Sequence, residues 1–404
     1  MRILVFCNKD IKNPKAGGGT WELFRILKRL ISWGHDVTLL CGNFKGGSRE
    51  DEIDGVKICR VGNVASVFFL APLKYITSKD LRSCDLIIDV ALMGIPFFTP
   101  LYTKKPIIMI CWHLPRETFF IELCRKLNLL GFLLASFLIF IEDVVAPRIY
   151  RHVPVITFSH ASKMDLKATG YRYVFSFNYA LCKEIMFLGK KEENIADLAS
   201  IEEKEGRELI IVSIGRLKRY KGIQDLIYAM SFIVKKVPNA ALFIIGRGDY
   251  LDELKKLVDR LLLKNHVKFL GFLPVKEKFN ILKRSRVLVM TSYKEGFATP
   301  ILEAYACKKP VVGINAPGTR ELIIHGQTGF LYPYRPSFIN PKGDVHKIAE
   351  YIIRLITNEQ LSKNMGERGY NFLKQIDIHR HEVSFFRFFS ALLKQMVEKR
   401  RLKR

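Results

Sequence analysis

Short apolar runs alternate with stretches of helical apolar spacing along this chain, halt over one polar segment, and then resume. The first series runs "RILVFC", "DVTLLC", "VKICRV", "CDLIIDV", "PIIMICW" and "VPVITFS". Between its first two runs, Trp21, Phe24, Leu27, Leu30 and Ile31 recur at helical spacing. Residues 189–208, "GKKEENIADLASIEEKEGRE", have the composition of a linker or surface hairpin. A second series begins at once: "LIIVSIG", the helical "IQDLIYAMSFIVKK", "AALFIIG", the helical "DYLDELKKLVDRLL", "VKFLGF", "RVLVMTS" and "KPVVGI". Strands that alternate with helices form parallel sheets covered on both faces. The pattern predicts an α/β protein of two tandem, Rossmann-like, doubly wound parallel-sheet domains facing a cleft, and 404 residues suffice for two cores. We place a first domain at 1–180, a linker at 181–208, a second domain at 209–375, and a helix with a basic tail at 376–404.

In doubly wound sheets, ligands bind beyond the carboxyl ends of strands, so the loops that follow strands are the places to look. "GRLKRYKG", Gly215 to Gly222, follows the first strand of the second series and leads into a helix. Arg216 and Lys221, aided by the helix N-terminus, suit a diphosphate, although a solvated basic turn would look the same. "GGGT", Gly17 to Thr20, opens a helix after the first strand, where glycines let backbone approach an anion; a plain flexible loop is the alternative. It is not GxGxxG, and no acid ends "DVTLLC", which disfavours a dinucleotide.

"YKEGFATP" follows the strand "RVLVMTS", and a helix is expected from about Pro300, a favoured first-turn residue. Glu295 then sits in the loop and Glu303 on the helix's first turn. Acids beside an anion site make sense if the ligand also carries hydroxyl pairs, for which carboxylates are strong acceptors. One acid could hold a sugar ring and the other a ribose, with a diphosphate between them.

Taken in order, "GGGT", "GRLKRYKG", "EGFATPILEA", "KKPVVG" and "GTRELIIHGQTGFLYP" resemble the family-4 glycosyltransferases, retaining enzymes of GT-B fold. The resemblance covers most of the chain and is strongest over 209–333. It implies that Arg216 and Lys221 neutralise the donor diphosphate, that Glu295 bonds the donor sugar, and that Glu303 bonds the nucleotide ribose. Backbone N–H groups around Phe297, Ala298, Ile301 and Leu302 would hold sugar and phosphate, and Gly18 and Gly19 would cover the phosphates. His113, in "ICWHLPRE", matches the family's histidine near the transferring carbon; a histidine after a strand is otherwise usually structural. The family's "NGVD"-like turn stands here as "NYAL", with Asn178 retained.

The expected reaction moves a hexose from a UDP- or GDP-sugar, a substrate rather than a cofactor, to an acceptor hydroxyl. No Asp-x-Asp occurs, and no cysteine or histidine spacing suggests zinc, so no metal is expected. A nucleotide-sugar epimerase of the same architecture is the alternative. A nucleic-acid-binding protein would explain a net charge of +26, but no nucleic-acid-binding signature appears.

The acceptor is expected to be a glycan or a lipid-linked glycan. Leu127 to Ile141, "LNLLGFLLASFLIFI", is fifteen residues without charge, short of the about 20 a spanning helix needs. It reads either as a buried core helix or as a segment dipping into one leaflet. The terminal "KRRLKR", residues 399–404, carries five positive charges, while the aromatic stretch before it can pack as a helix on the first domain. Scattered cysteines and no signal-peptide layout predict a cytoplasmic protein, with peripheral contact at the anionic inner face of the membrane.

Overall fold

Each apolar run of the first series becomes a strand of one sheet in the computed structural model, which describes residues 1–92, 94–177, 189, 209–337, 340–376 and 378–401. Side chains of 378–383 and 396–401 are not among those described. The expected linker 181–208, apart from Gly189, the "NYAL" turn from Asn178 and the last residues of the basic tail lie outside them.

The first sheet contains β1 (Arg2–Phe6), β2 (Asp36–Gly42), β3 (Glu50–Ile53), β4 (Val56–Val61), β5 (Leu86–Ala91), β6 (Ile107–Cys111), β7 (Val155–Thr157) and β8 (Val174–Ser176). Its spatial order is β3-β4-β2-β1-β5-β6-β7-β8. Every pairing is parallel except β3 with β4, a hairpin at the edge. β3 and β8 were not among the expected strands. β3 reads "EDEI", too polar to signal a buried strand, and it needs only the neighbouring β4 to form.

The second sheet contains β9 (Leu209–Ile214), β10 (Ala240–Ile245), β11 (Val267–Gly271), β12 (Val287–Met290), β13 (Val311–Ile314) and β14 (Gly329–Tyr332), in the order β11-β10-β9-β12-β13-β14. All its pairings are parallel. Both sheets start in the middle, build outward one way, and then cross back beside the first strand. That reversal between β1 and β5, and between β9 and β12, is the topological switch point of a doubly wound sheet.

Burial explains why the strands read as unbroken apolar runs. In the second sheet, Ile211, Leu242, Ile244, Val287 and Val289 pack on one face, with Ile223, Leu226, Ile227, Met230 and Ile233 of helix Ile223–Lys236. Their strand neighbours Ile210, Val212, Phe243, Ile245 and Leu288 pack on the other, with Ile301, Leu302 and Tyr305 of helix Thr299–Ala306. The two-residue period puts successive side chains into different cores. Each fully buried aliphatic side chain contributes about 1.5–3 kcal/mol.

The chain divides into two compact units. One comprises Met1–Pro115, Ser136–Asn178 and Val383–Arg404; the other comprises Arg116–Ala135 and Tyr179–Glu382. Two segments therefore depart from a simple split at 180. Phe385, Phe386, Phe389 and Leu393 of helix Ile378–Arg401 are buried in the first unit. There Phe386 meets Trp33 edge-on, with ring centroids 5.4 Å apart, and Phe385 meets Phe177 at 5.2 Å. Conversely, Ile121, from the region expected to belong wholly to the first domain, is buried in the core of the second unit.

Candidate functional site

The two strands that flank the switch point of the second sheet deliver the charged residues. The loop after β9 carries Arg216 and Lys221, and the loop after β12 carries Glu295. Lys221 Nζ lies 2.5 Å from Glu295 Oε1, and both side chains are largely buried. Below this pair the backbones interlock: Tyr293 N–H donates to Tyr220 O at 3.0 Å, and Thr291 Oγ1 donates to Lys221 O at 2.7 Å. Gly222 makes that approach possible. Its φ is +66°, and a Cβ there would lie 2.2 Å from Thr291 O. Gly318 does the same from the other side, with φ +82° and a hypothetical Cβ 2.3 Å from Glu295 O.

Arg216 is exposed, and its Nη2 donates to Tyr220 Oη at 2.7 Å. The Lys221 ammonium sits 5.1 Å from the centroid of the Tyr220 ring. One tyrosine thus supports both cations, by a hydrogen bond to one and its π-face to the other. Beneath them Asp225 is buried and accepts from Tyr293 Oη and Gly343 N–H, each at 2.6 Å. Burial pushes the Asp225 carboxyl up to about 6, against these hydrogen bonds, which lower it.

Helix Thr299–Ala306 starts one residue before the expected Pro300, with Ala298 at its N-cap. Glu303 is therefore its fifth residue, just past the first turn rather than on it. The side chain is buried and Oε1 accepts from Lys278 Nζ at 2.6 Å, while Oε2 has no hydrogen-bond partner among the described residues. Ile301 N–H bonds Ala298 O at 3.0 Å, so this expected donor is already engaged in the helix's first turn. Leu302 is fully buried on the helix's inner face. Phe297 and Ala298 head the helix, with their amides outside its own ladder.

In the first unit, Gly18 and Gly19 open helix Gly18–Ser32, directly after N-cap Gly17. A Cβ at Gly19 would lie 2.8 Å from Leu92 Cδ1 and 3.5 Å from the Trp112 ring, while Gly18 has open space. Trp112 adjoins His113, which is half-buried just beyond β6 and whose carbonyl accepts from Cys111 Sγ at 3.7 Å. Gly19 and the His113 loop are thus neighbours in this unit. The expected residues fall into two sets, Arg216, Lys221, Glu295, Phe297, Ala298, Ile301, Leu302 and Glu303 in the second unit, and Gly18, Gly19 and His113 in the first.

Sequence reading passed over Tyr220, Asp225, Lys278, Tyr293 and Gly318. Tyr220, Tyr293 and Gly318 lie inside the quoted motifs and Asp225 inside a quoted helical stretch, so their positions were available although their roles were not. Lys278 lies on helix Val275–Arg284, 25 residues from its partner Glu303, and no local pattern pairs them.

Residues 194–372 match the family described as glycosyl transferases group 1. Among curated relatives, N-acetyl-alpha-D-glucosaminyl L-malate synthase of Bacillus anthracis is 32% identical over 176 residues, 43% of each chain. The capsular polysaccharide biosynthesis glycosyltransferase CapM of Staphylococcus aureus is 30% identical over 177 residues, 43% of this chain and 44% of the relative. The match therefore spans less than half the length of these relatives. Among solved structures, HepE of Anabaena in complex with UDP and glucose superposes with TM-score 0.73 at 20% identity, over 97% of this chain and all of that one. Sucrose-phosphate synthase of Thermosynechococcus elongatus gives 0.75 at 16% identity, over 97% and 99%. These likenesses show the fold, which is GT-B.

Proposed function

We propose, from the match of residues 194–372 to the glycosyl transferases group 1 family, that the chain is a retaining glycosyltransferase that takes a hexose from a nucleotide sugar. The family match does not favour the epimerase considered above.

The observation that carries the proposal is the pair Lys221 and Glu295 at 2.5 Å, with Arg216 beside it and the head of helix Thr299–Ala306 following. In this reading Lys221 and Arg216 take the two phosphates of the donor, stabilising the nucleoside diphosphate as it leaves. Such preorganised charge is worth most at the transition state, where the leaving group's charge grows. Phe297 and Ala298 offer their amides to the same anion. Glu295 then exchanges part of its ion pair for a hydroxyl of the sugar. In the same reading Glu303 accepts from a ribose hydroxyl through Oε2, which has no partner among the described residues, while Lys278 holds Oε1. His113, Gly18 and Gly19 of the first unit are assigned to the reacting carbon and to the phosphates by the family resemblance alone. Because protein cations and amides meet the diphosphate's charge, transfer is expected to proceed without a divalent ion or a cofactor.

UDP is the favoured nucleotide, since HepE, which shares this fold, was solved with UDP and glucose. We propose a lipid-linked or growing glycan as acceptor and a cytoplasmic enzyme held peripherally at an anionic membrane, supported by the net charge of +26. The test is calorimetric titration with UDP and GDP, followed by proton NMR of the product from the donor that binds. A product with the donor's anomeric configuration, formed in EDTA, supports the reading. Binding of neither nucleotide, inversion, or loss of turnover in EDTA with recovery on Mn²⁺ contradicts it.

A further inference from the structure

Leu127 to Ile141 was expected to be either a buried core helix or a segment dipping into a leaflet. The described geometry is neither a core helix nor a straight one. Helix Arg116–Phe140 is broken at Asn128, whose φ is +50° and ψ −124°. Beyond the break the chain turns back on itself. A Cβ on Gly131 would lie 2.1 Å from Leu123 O, and the rings of Phe120 and Phe132 are 5.4 Å apart. Residues 123 and 131 would be about 12 Å apart in an unbroken helix. Arg116–Phe140 is therefore a helical hairpin with its tip at Asn128, and not a single span, although Arg116–Ile149 is long and apolar enough to cross a membrane by length and composition alone.

The two arms differ in chemistry. The first, Arg116 to Leu127, belongs to the second unit and is fastened there. Ile121 enters the core, Glu122 Oε1 accepts from Tyr220 N–H at 3.3 Å, and Arg125 Nη1 meets Glu253 Oε1 at 2.7 Å. Lys126 pairs with Asp249, which also holds Lys218 at 2.7 Å, and Glu117 Oε2 lies 3.6 Å from Lys294 Nζ. Tyr220 and Lys218 belong to the loop that carries Arg216 and Lys221, and Lys294 adjoins Glu295. The first arm thus grips both loops of the candidate donor site.

The second arm has no charge from Leu129 to Ile141. Its packing face is small, with Gly131 and Ala135 buried four residues apart, the spacing that lets helices approach closely. Leu138, Ile139 and Ile141 are half-buried, and the remaining large side chains point outward. Leu129 is 74% exposed, Leu130 63%, Leu133 58% and Phe137 58%, and Phe132, Leu134 and Phe140 are exposed as well. At 100° per residue these side chains cover an arc of about 200°. A protein partner covers one face of a helix, whereas this arc and the leucine-rich tip call for an apolar medium on several sides at once. Thirteen residues rise about 20 Å along the axis, which fits an oblique path within one leaflet of a core about 30 Å thick. The chain's positive charge favours the anionic leaflet as that medium.

We propose that hairpin Arg116–Phe140 is a monotopic membrane anchor. Its tip and second arm dip into one leaflet of an anionic bilayer, while the first arm fixes the donor-binding loops at that surface. The idea deepens the reading of a membrane-held enzyme, and its test reads lipid contact without turnover, so either reading can fail alone.

The probe is a vesicle of phosphatidylcholine with phosphatidylglycerol, unlabelled or brominated in the acyl chains. Full-length protein should float with these vesicles and remain bound in about 0.5 M salt, where surface charge is largely screened. The triple variant Leu130→Gln, Leu133→Gln, Phe137→Gln changes only exposed side chains, so its circular dichroism and melting should match wild type. Its vesicle partitioning in high salt should fall by about tenfold or more. A Leu130→Trp variant should show added quenching by brominated lipid, whereas Lys264→Trp, on an exposed side chain that is not part of the hairpin, should not. Complete release of wild type by salt, equal flotation of the triple variant, or no added quenching of Trp at 130 would overturn the proposal. So would a wild-type dimer that the triple variant abolishes without any vesicle binding, since a second copy would then cover the tip.

Discussion

Lys221 and Glu295 are 74 residues apart in sequence, yet their charged atoms lie 2.5 Å apart because β9 and β12 are neighbours at the switch point of one sheet. Neither residue owes its position to its own loop alone. Tyr293 N–H on Tyr220 O and Thr291 Oγ1 on Lys221 O tie the two loops together beneath the charges. The ion pair holds the Lys221 ammonium beside Glu295, where a more negative partner would compete for it.

If that partner is a diphosphate, Lys221→Ala should lower transfer from any accepted donor by about 10²-fold or more. Glu295→Ala should lower it too, and the double variant should fall short of the product of the two losses. Residues in direct contact commonly couple by about 0.5–3 kcal/mol. Steady-state kinetics on the four proteins measures the coupling. Strict additivity would mean that the two act separately.

Glu303 and Lys278 form a second ion pair, to which the proposed function gives a different task. Removing Glu303 should weaken binding of the free nucleoside diphosphate, because its open Oε2 is the expected ribose acceptor. Lys278→Ala should weaken it by a similar or smaller factor, since the carboxylate loses its anchor at Oε1 but keeps its acceptors. Glu295→Ala should mostly spare this affinity and act on turnover. Isothermal titration separates them, and equal loss at Glu295 and Glu303 would contradict the division.

The contrast between these two pairs shows what was readable in advance. Arg216, Lys221 and Glu295 sit in loops that follow strands, and Glu303 lies in the helix after the second of those loops, so strand order and motif give their places along the chain. Lys278 had no such signal, because its helix meets Glu303 only through tertiary packing. The hairpin was half legible. Absence of charge from Leu127 to Ile141 marked the segment, but the break rests on one backbone conformation at Asn128 and on Gly131 meeting Leu123, which composition does not encode. Arg116–Ala135 joined the second unit through Ile121 and several ion pairs, all of them long-range.

Asp225 offers a test by pH. Its carboxyl is pushed up to about 6 by burial. A raised folded-state value favours the protonated form, so this group's stabilising contribution is full below the unfolded value near pH 4. It is lost as pH rises through about 6. Asn at this position keeps an oxygen for Tyr293 and Gly343 but never ionises. The stability of Asp225→Asn relative to wild type should therefore rise by roughly 1–3 kcal/mol between about pH 4 and pH 7. Urea unfolding of both proteins across that range measures the difference and cancels the other titrating groups. A difference that stays flat would mean that Asp225 ionises as freely as in the unfolded chain.

Gly222 and Gly271 separate backbone strain from crowding. Both have positive φ, +66° and +71°, but Gly222 faces Thr291 O at 2.2 Å from a hypothetical Cβ, whereas Gly271 has nothing within 4 Å. Alanine at Gly271 should cost about 1 kcal/mol, the penalty for a side chain in the left-handed region. Alanine at Gly222 adds a collision with a carbonyl that cannot rotate away, since Thr291 belongs to the backbone leaving β12. The loops after β9 and β12 must then separate, weakening the Tyr293 to Tyr220 and Thr291 to Lys221 hydrogen bonds and drawing Lys221 away from Glu295. The total cost should reach about 2–4 kcal/mol, the range of strained-backbone and lost-network substitutions. Nucleoside diphosphate affinity should fall with it, while Gly271→Ala should bind as wild type does. Unfolding midpoints and nucleotide titrations on the two variants decide the matter. If they lose equal stability and bind nucleotide equally well, the close approach at Gly222 does not set the spacing of the two loops.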